Sequence, residues 1–527
     1  MKKIIQWTIH MSKIAAILFA GAFIFTNCGF AQVGPPASQS QGTLANPLPL
    51  SGKIGQNGSV KATQSPVPGT TTSVDTINPT VQVQGPYAGS TSSTSKMPFS
   101  GKLSLRDAIA RGLEYNLGAV GMAAAERQAL GQSISARSAL LPNVNGTLGE
   151  TVEQEDLAAL GVRIKVPIAG FTFPTIVGPF NFFDLRAHLT QNVVDLTALN
   201  NYRAANETVR ANQFATQDAR DLVVLAVGGA YLQVIAAKAR VASAHAQLDT
   251  ANALFQQTSQ KRAVGVAAQV DVDRSEVEAL TQRQRLLSLE NDLSKQKINL
   301  ARMTGLPPNE HFDVTDDVPF SAAPPVTAED ALKQALDGRA DLKSAEAQVN
   351  AAERERSAAK SELLPSLSAA GDYGVIGTNP AQSHGTFSAS ATLRVPIWQG
   401  GRAKGDIEQA DAVLMQRRAE LDDLRTQVES DIREAYLDVE TAASQVEVAQ
   451  RNIKVTEEAL DLTRQRYEAG VTDNVEVIQA QESVTSAKLD YINSVFAHNA
   501  AKLSLARAMG RAADSLPRFL SFGASAQ

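Results

Sequence analysis

From about Leu196 to Lys261, and again from about Gly401 to Arg466, the chain is alanine-rich and contains no proline. At 1.5 Å of rise per residue, each run makes a helix of roughly 100 Å. A compact globular domain has no room for such a helix, so these two runs predict an elongated helical body. The second carries a heptad line, Ile432, Val439, Val446, Ile453, Leu460 and Tyr467, with Ala435, Ala442 and Ala449 three residues on. The first shows Val241, Leu248 and Phe255, with Ala244 and Ala251. Small residues at one seam position let helices approach closely. Gly228 and Gly229 interrupt the first rod, and close helix packing is the expected reason, with a bend as the second.

Each rod ends at a glycine. Gln465-Arg466-Tyr467-Glu468-Ala469-Gly470-Val471-Thr472-Asp473-Asn474-Val475-Glu476 reads as a tight reversal, with Gly470 supplying a left-handed C-cap. Asp473 starts the return helix, and Glu476 follows at capping-box spacing. A weaker copy, Lys261-Arg262-Ala263-Val264-Gly265-Val266, closes the first rod. The return helices span about 272–304 and 475–510, the latter with Leu489, Phe496 and Leu503 at heptad spacing.

The rods belong to a duplication. A helix opening at Ser104, through Asp107, runs to Leu141 and stops at Pro142; another opens at Thr327, through Asp330, runs to Leu364 and stops at Pro365. Asp107 and Asp330 are 223 residues apart, as are Pro142 and Pro365. A shared offset marks an internal repeat.

After each proline the period falls to two. Phe183, Leu185, Ala187, Leu189 and Val193 alternate with Asp184, Arg186, His188, Thr190 and Asn192. Leu367 to Val375 and Phe387 to Val395 alternate in the same way in the second repeat. Runs of about 9–11 residues, apolar on one face and polar on the other, suit tilted membrane strands; a soluble antiparallel sheet with one wet face is the competing reading. The hairpin over 142–194 has a long loop, about Glu150 to Asn181, while that over 365–396 turns around Gly377 to Gly385. Long loops mark the outer end of a membrane barrel. Four strands cannot close a barrel, which takes roughly eight or more, so the chain is expected to oligomerise. Two copies would supply eight strands and a packed interior; three would supply twelve, with room for an aqueous lumen.

Lys2, Lys3 and the apolar run Ile14 to Phe25 read as an export signal, cleaved after Ala31. Cleavage removes Cys28, the only cysteine, and with it thiolate and disulfide chemistry; lipidation of Cys28 is the alternative. No later stretch reaches the roughly 18 consecutive apolar residues of a membrane helix. Residues 32–97, rich in Ser, Thr, Gly, Pro and Gln, predict a disordered linker, either a tether or an unselected extension. The expected division is a signal peptide over 1–31, the linker over 32–97, repeat 1 over 98–310, a connector over 311–325, repeat 2 over 326–512 and a tail over 513–527.

A net charge of −5 offers no basic footprint, so nucleic acid is not an expected partner. The histidines beyond the signal, His188, His245, His311, His384 and His498, lack metal-ligand spacing. No phosphate loop or nucleophile elbow is present, so neither catalysis nor a cofactor or metal is expected.

Taken in order, the two helix starts, Leu141-Pro142 and Leu364-Pro365, Val395-Pro396-Ile397-Trp398-Gln399-Gly400-Gly401-Arg402, Arg466-Tyr467 to Gly470, Arg302-Met303-Thr304-Gly305 and Arg507-Ala508-Met509-Gly510 resemble the TolC family of outer membrane efflux proteins over 103–512. The resemblance implies an α+β membrane channel: a homotrimeric helical tunnel, with four strands per chain completing a twelve-stranded β-barrel in outer-membrane lipid of a Gram-negative-type bacterium. It implies docking to a periplasmic adaptor (membrane fusion) protein and an inner-membrane pump, such as an RND or ABC transporter, in multidrug efflux or type I secretion. It also implies a periplasmic gate of acidic residues past the tips, at Asp271 and Glu476 with Asp473 beside them. Helix capping is the alternative for these acids. Gln479 departs from family members that carry a second acid there. The tip turns Gly265, Val266, Gly470 and Val471, with Arg466 and Tyr467, are the expected docking surface; Arg186, His188 and Arg394 are expected in the barrel lumen. The second functional reading is a periplasmic coiled-coil adaptor or spacer.

Overall fold

A computed structural model describes residues 60–67, 76–91, 99–159, 161, 174–323, 326–510 and 512–513, all within one unit, residues 56–527. The expected export signal with Cys28, and nearly all of the expected tail, lie outside the described residues.

The expected disorder of residues 32–97 does not hold where the chain is described. β1 (Val60–Val67) and β2 (Thr76–Val83) pair as an antiparallel hairpin, and a one-turn helix at Gly85–Ala88 follows. Tyr87 is 1% exposed inside the main core, so a few large side chains anchor a Ser/Thr-rich segment. The strand pair β3 (Lys102–Leu103) and β6 (Asp313–Val314) then ties the start of repeat 1 to the connector.

The single helix expected from Ser104 to Leu141 is instead two, α1 (Leu105–Tyr115) and α2 (Leu117–Ser138), divided at Asn116. Asn116 is fully buried; its Nδ2 donates to Tyr87 O at 2.7 Å, and its Oδ1 accepts from Gly118 N at 2.9 Å. That cap starts α2 afresh. β4 (Asn143–Asp156) and β5 (Ile176–Val194) follow, longer than expected, with the loop between them shortened accordingly. α3 (Leu196–Ala263, 68 residues) and α4 (Gln269–Thr304) form the first long hairpin.

Repeat 2 copies this order. α5 (Ala328–Gly338) and α6 (Ala340–Ser361) divide at Arg339, again where one helix was expected, and 223 residues after Asn116. Arg339 is 5% exposed and binds Asp341 Oδ2 at 2.7 Å and Asp431 Oδ2 at 3.0 Å. β7 (Ser366–Gly377), β8 (His384–Arg394), α7 (Arg402–Glu468, 67 residues) and α8 (Asn474–Ala508) complete it.

The main core lies at the middle of α3, where Val223, Val224, Val227, Tyr231 and Val234 pack with Leu103, Leu300 and Leu503. A Cβ on Gly228 would lie 2.9 Å from Leu503 Cδ2, and one on Gly229 2.6 Å from Val81 Cγ2, so close packing explains both glycines. This core also revises the reading of membrane helices. A window of α3 is long and apolar enough to cross a bilayer, but 72% of it is buried inside the fold. Its hydropathy belongs to the core.

Candidate functional site

Two regions carry the residues singled out by the sequence: the four-stranded sheet and the paired hairpin tips. The sheet is antiparallel throughout, in the order β4-β5-β7-β8, so β4 and β8 are open edges. Strand alternation sorts its two faces. On one, Leu148 pairs with Leu185, and Tyr373 with Phe387. Leu148 is 69% exposed, Tyr373 71% and Phe387 80%. On the other, the Arg186 guanidinium spans Asp184 at 2.9 Å and Asp372 at 2.6 Å, with Ser388 hydroxyl donating to Asp372 from the next strand. His188 Nε2 lies 3.1 Å from Thr147 Oγ1. Arg394 sits in register with Ser366 on this polar face, at the end of β8. Arg186, His188 and Arg394 therefore share one face, opposite a broad unpartnered apolar one.

At the tips, Gly265 and Gly470 take φ of +78° and +72°, the left-handed caps that a Cβ resists. Val266 N donates to Lys261 O at 2.8 Å and Val471 N to Arg466 O at 3.0 Å, so both reversals use the same wide turn. Asp473 Oδ1 accepts from Val475 N at 3.1 Å and Glu476 N at 3.3 Å. The capping box is only half made: Glu476 Oε2 turns to Arg466 Nη1 at 3.2 Å rather than back to Asp473. A cation one turn before the reversal outcompetes a backbone amide for that carboxylate. Asp271 faces Arg274 at 3.8 Å.

At the tips two polar contacts join the hairpins, and the sequence did not announce either. Lys261 Nζ stands 3.9 Å above the centroid of the Tyr467 ring. Asn474, 1% exposed, donates from Nδ2 to Asp271 O at 3.2 Å. Asp271 thus lies beside the start of α8. Below them Leu254, Leu460, Val477 and Val484 form a small core with Tyr467 packed against it. Val264, Val266 and Val471 stay exposed at 75%, 75% and 69%. Arg262 binds Gln269 at 3.4 Å within its own tip, an ordinary surface pairing. The Lys261–Tyr467 contact joins positions that do not correspond in the two tips, since the equivalent of Lys261 in the second tip is Arg466.

Among the described residues no cluster of His, Cys, Asp and Glu could hold a metal ion.

The comparisons with known proteins bear on both regions. The sequence model of the outer membrane efflux protein family matches residues 117–306 and 331–511, one match for each repeat. Among curated relatives, the chain is 23% identical to the pyoverdine export outer membrane protein OpmQ of Pseudomonas aeruginosa, over 59% of this chain and 65% of that one. It is 26% identical to OprJ of the same organism, again over 65% of that protein, so it spans slightly less than two thirds of each. It is 24% identical to TolC of Vibrio cholerae over 71% of this chain and 84% of that one. Among solved structures, VceC of Vibrio cholerae superposes with a TM-score of 0.64 at 17% identity, covering 77% of this chain and 96% of that one. The CmeC outer membrane channel of Campylobacter jejuni gives 0.68 at 17% identity, covering 83% and 92%. At these identities the structural likeness speaks for the fold. The family is one of efflux channels rather than enzymes. With both repeats matched in order and the fold shared, the chain belongs to the outer membrane efflux protein family.

Proposed function

We propose that this chain is one subunit of a homotrimeric channel-tunnel, passing substrates from a periplasmic adaptor and inner-membrane pump across the outer membrane without an energy source of its own. The observation that carries the reading is the two-faced sheet with open edges. Its large apolar side chains are exposed, its polar face is knitted by ion pairs, and its edge strands β4 and β8 leave a row of backbone groups unpaired. In lipid each unsatisfied backbone group costs several kcal/mol, so the sheet is viable there only in a closed barrel. Three copies supply twelve strands, a lumen lined by Arg186, His188 and Arg394, and a tube of helices continuing it.

The tips then form the periplasmic mouth, where the turns with Val264, Val266 and Val471 present apolar side chains to an adaptor. Asp271 and Glu476, repeated three times, place six carboxylates there and favour cations over anions. Their pairing with Arg274 and Arg466 in one chain tempers that field, and release of Arg466 from Glu476 would strengthen it. An adaptor or spacer needs long helical hairpins but has no use for a sheet of this kind, and the family match disfavours it.

Single-channel recording on the purified protein in planar bilayers tests the reading. Discrete, cation-selective conductance is expected, with selectivity reduced by Glu476→Gln. Absence of any conductance would overturn the channel, and unchanged ion selectivity and divalent block in the variant would remove Glu476 from its gate.

A further inference from the structure

The rods and their return helices repeat at a fixed offset. Gly265 and Gly470, at the tips, are 205 residues apart, and so are Gly305 and Gly510, which close α4 and α8 with φ of +72° and +75°. Because α3 and α7 run unbroken into those tips, each position on one has a counterpart 205 residues away on the other.

Within the chain, repeat 1 meets repeat 2 along one seam, α3 against α6 and α8. There the Asp218 carboxylate of α3 pairs with the Arg507 guanidinium of α8, the two side chains only 8% and 12% exposed. Leu232 of α3 and Leu503 of α8 belong to the main core beside them, 3% and 0% exposed.

All four residues have counterparts in the other repeat. Asp218 maps onto Asp423 of α7 and Arg507 onto Arg302 of α4, while Leu232 maps onto Leu437 and Leu503 onto Ile298. The side-chain chemistry is kept at every position, acid for acid, arginine for arginine and aliphatic for aliphatic. The burial is not. Arg302 and Asp423 are exposed, and among the described residues neither side chain has an ionic or hydrogen-bonding partner. The charges next to Asp423 are already used, since Asp422 holds Arg425 at 3.3 Å. Leu437 is 61% exposed and Ile298 46%. Gly228, over which Leu503 packs, has Arg433 as its counterpart, and Glu429 ties that side chain along its own helix at 2.7 Å. Within the chain α7 makes no such seam with α2 or α4, so half of a second ion pair stands at each free flank. The open sheet edges lie on the same flanks, for β8 runs into α7 and β4 follows α2.

We propose that Asp423 of one copy pairs with Arg302 of the next, closing a seam between α7 and the neighbouring copy's α4 in which Leu437 packs against Ile298. This rests on the trimer reading and specifies its interface. Each copy offers Asp423 on one flank and Arg302 on the other, a head-to-tail contact that closes into a ring.

Native mass spectrometry and cross-linking of the full-length protein in detergent test it. Both positions are exposed in the single chain, so the variants should fold. Arg302→Asp or Asp423→Arg alone sets like charges face to face at all three seams and should raise the trimer's dissociation constant by roughly tenfold or more. Exchanging the two charges in one chain, Arg302→Asp with Asp423→Arg, should restore native assembly. Arg302→Cys with Asp423→Cys, treated with a short bismaleimide, should give covalent dimers and trimers on denaturing gels, whereas either substitution alone should not. In a protein that is a trimer, absence of the rescue or absence of the cross-link would each overturn the pairing and leave the channel reading intact. A native protein that is not a trimer would overturn both.

Discussion

Replacing Tyr467 by alanine removes the ring on which Lys261 rests, 3.9 Å from its centroid, and with it one of the two polar contacts joining the hairpin tips. A cation–π contact at a partly exposed site contributes about 0.5–1 kcal/mol. In a trimer whose tips separate together, three such contacts contribute about 1.5–3 kcal/mol, which shifts the ratio of separated to joined tips by roughly 10- to 150-fold. Single-channel recordings on Tyr467→Ala should show long openings that the native protein rarely visits. Two controls isolate the cause. Tyr467→Phe keeps the ring and should behave as native, whereas Lys261→Met keeps a stem of similar bulk without the charge and should open like Tyr467→Ala. The reasoning fails if Tyr467→Ala leaves the open fraction unchanged. It fails equally if Lys261→Met is silent while Tyr467→Ala is open, because packing on the cluster that includes Leu254 of the first hairpin, rather than the cation, would then hold the tips.

Other expectations test different parts of the structure. Phe387, 80% exposed on the apolar sheet face, should not tolerate arginine: about 2–4 kcal/mol is lost at mid-bilayer, seen as a fall in the folded, heat-modifiable band on gels, while Ser390→Arg on the polar face should assemble. Burial pushes the Glu355 carboxyl up to about 7 against the pull of Arg417, so the folded state holds a proton the unfolded chain has released. Stability should therefore fall by about 1–3 kcal/mol as pH rises from about 4.5 to 7 and level off above, and Glu355→Gln should flatten that dependence in denaturant titrations. Arg507 is paired with buried Asp218, whose carboxyl is itself raised by burial; Arg507→Met should destabilise by about 3–5 kcal/mol, with Asp218→Asn restoring part of the loss.

Much of this architecture was legible because its signals are local. Proline-free runs set the two long helices to within a few residues of Leu196–Ala263 and Arg402–Glu468, and the period of two located β5, β7 and β8, with β4 inside the hairpin expected over 142–194. Glycines at 265 and 470 marked the reversals because only a left-handed residue ends a helix that way. What escaped was tertiary. Asn116, an N-cap residue, and Gly338 are local breakers, but in alanine-rich surroundings they do not by themselves divide a helix; a bond to Tyr87 and an ion pair to Asp431, partners distant along the chain, fix the breaks there. The hairpin of β1 and β2 hid in a composition typical of disorder, since among the described side chains its anchors are few: Val81 and Tyr87 buried, with Val60 and Val83 packed against the core. At the site, the acids could be placed on the tips from spacing, but their partners could not. Whether Glu476 meets Asp473 or Arg466, and whether Lys261 meets Tyr467, depends on how two hairpins are registered, and heptads do not encode that between separate hairpins.

The central claim is that an open four-stranded sheet closes with two further copies of itself in lipid. Electron cryomicroscopy of the full-length protein in nanodiscs, viewed along the barrel axis, tests it directly. A threefold ring of twelve strands, with β4 of one chain paired to β8 of the next, is the expected result. A dimer, or a sheet whose apolar face with Tyr373 and Phe387 packs on protein instead of lipid, would contradict it.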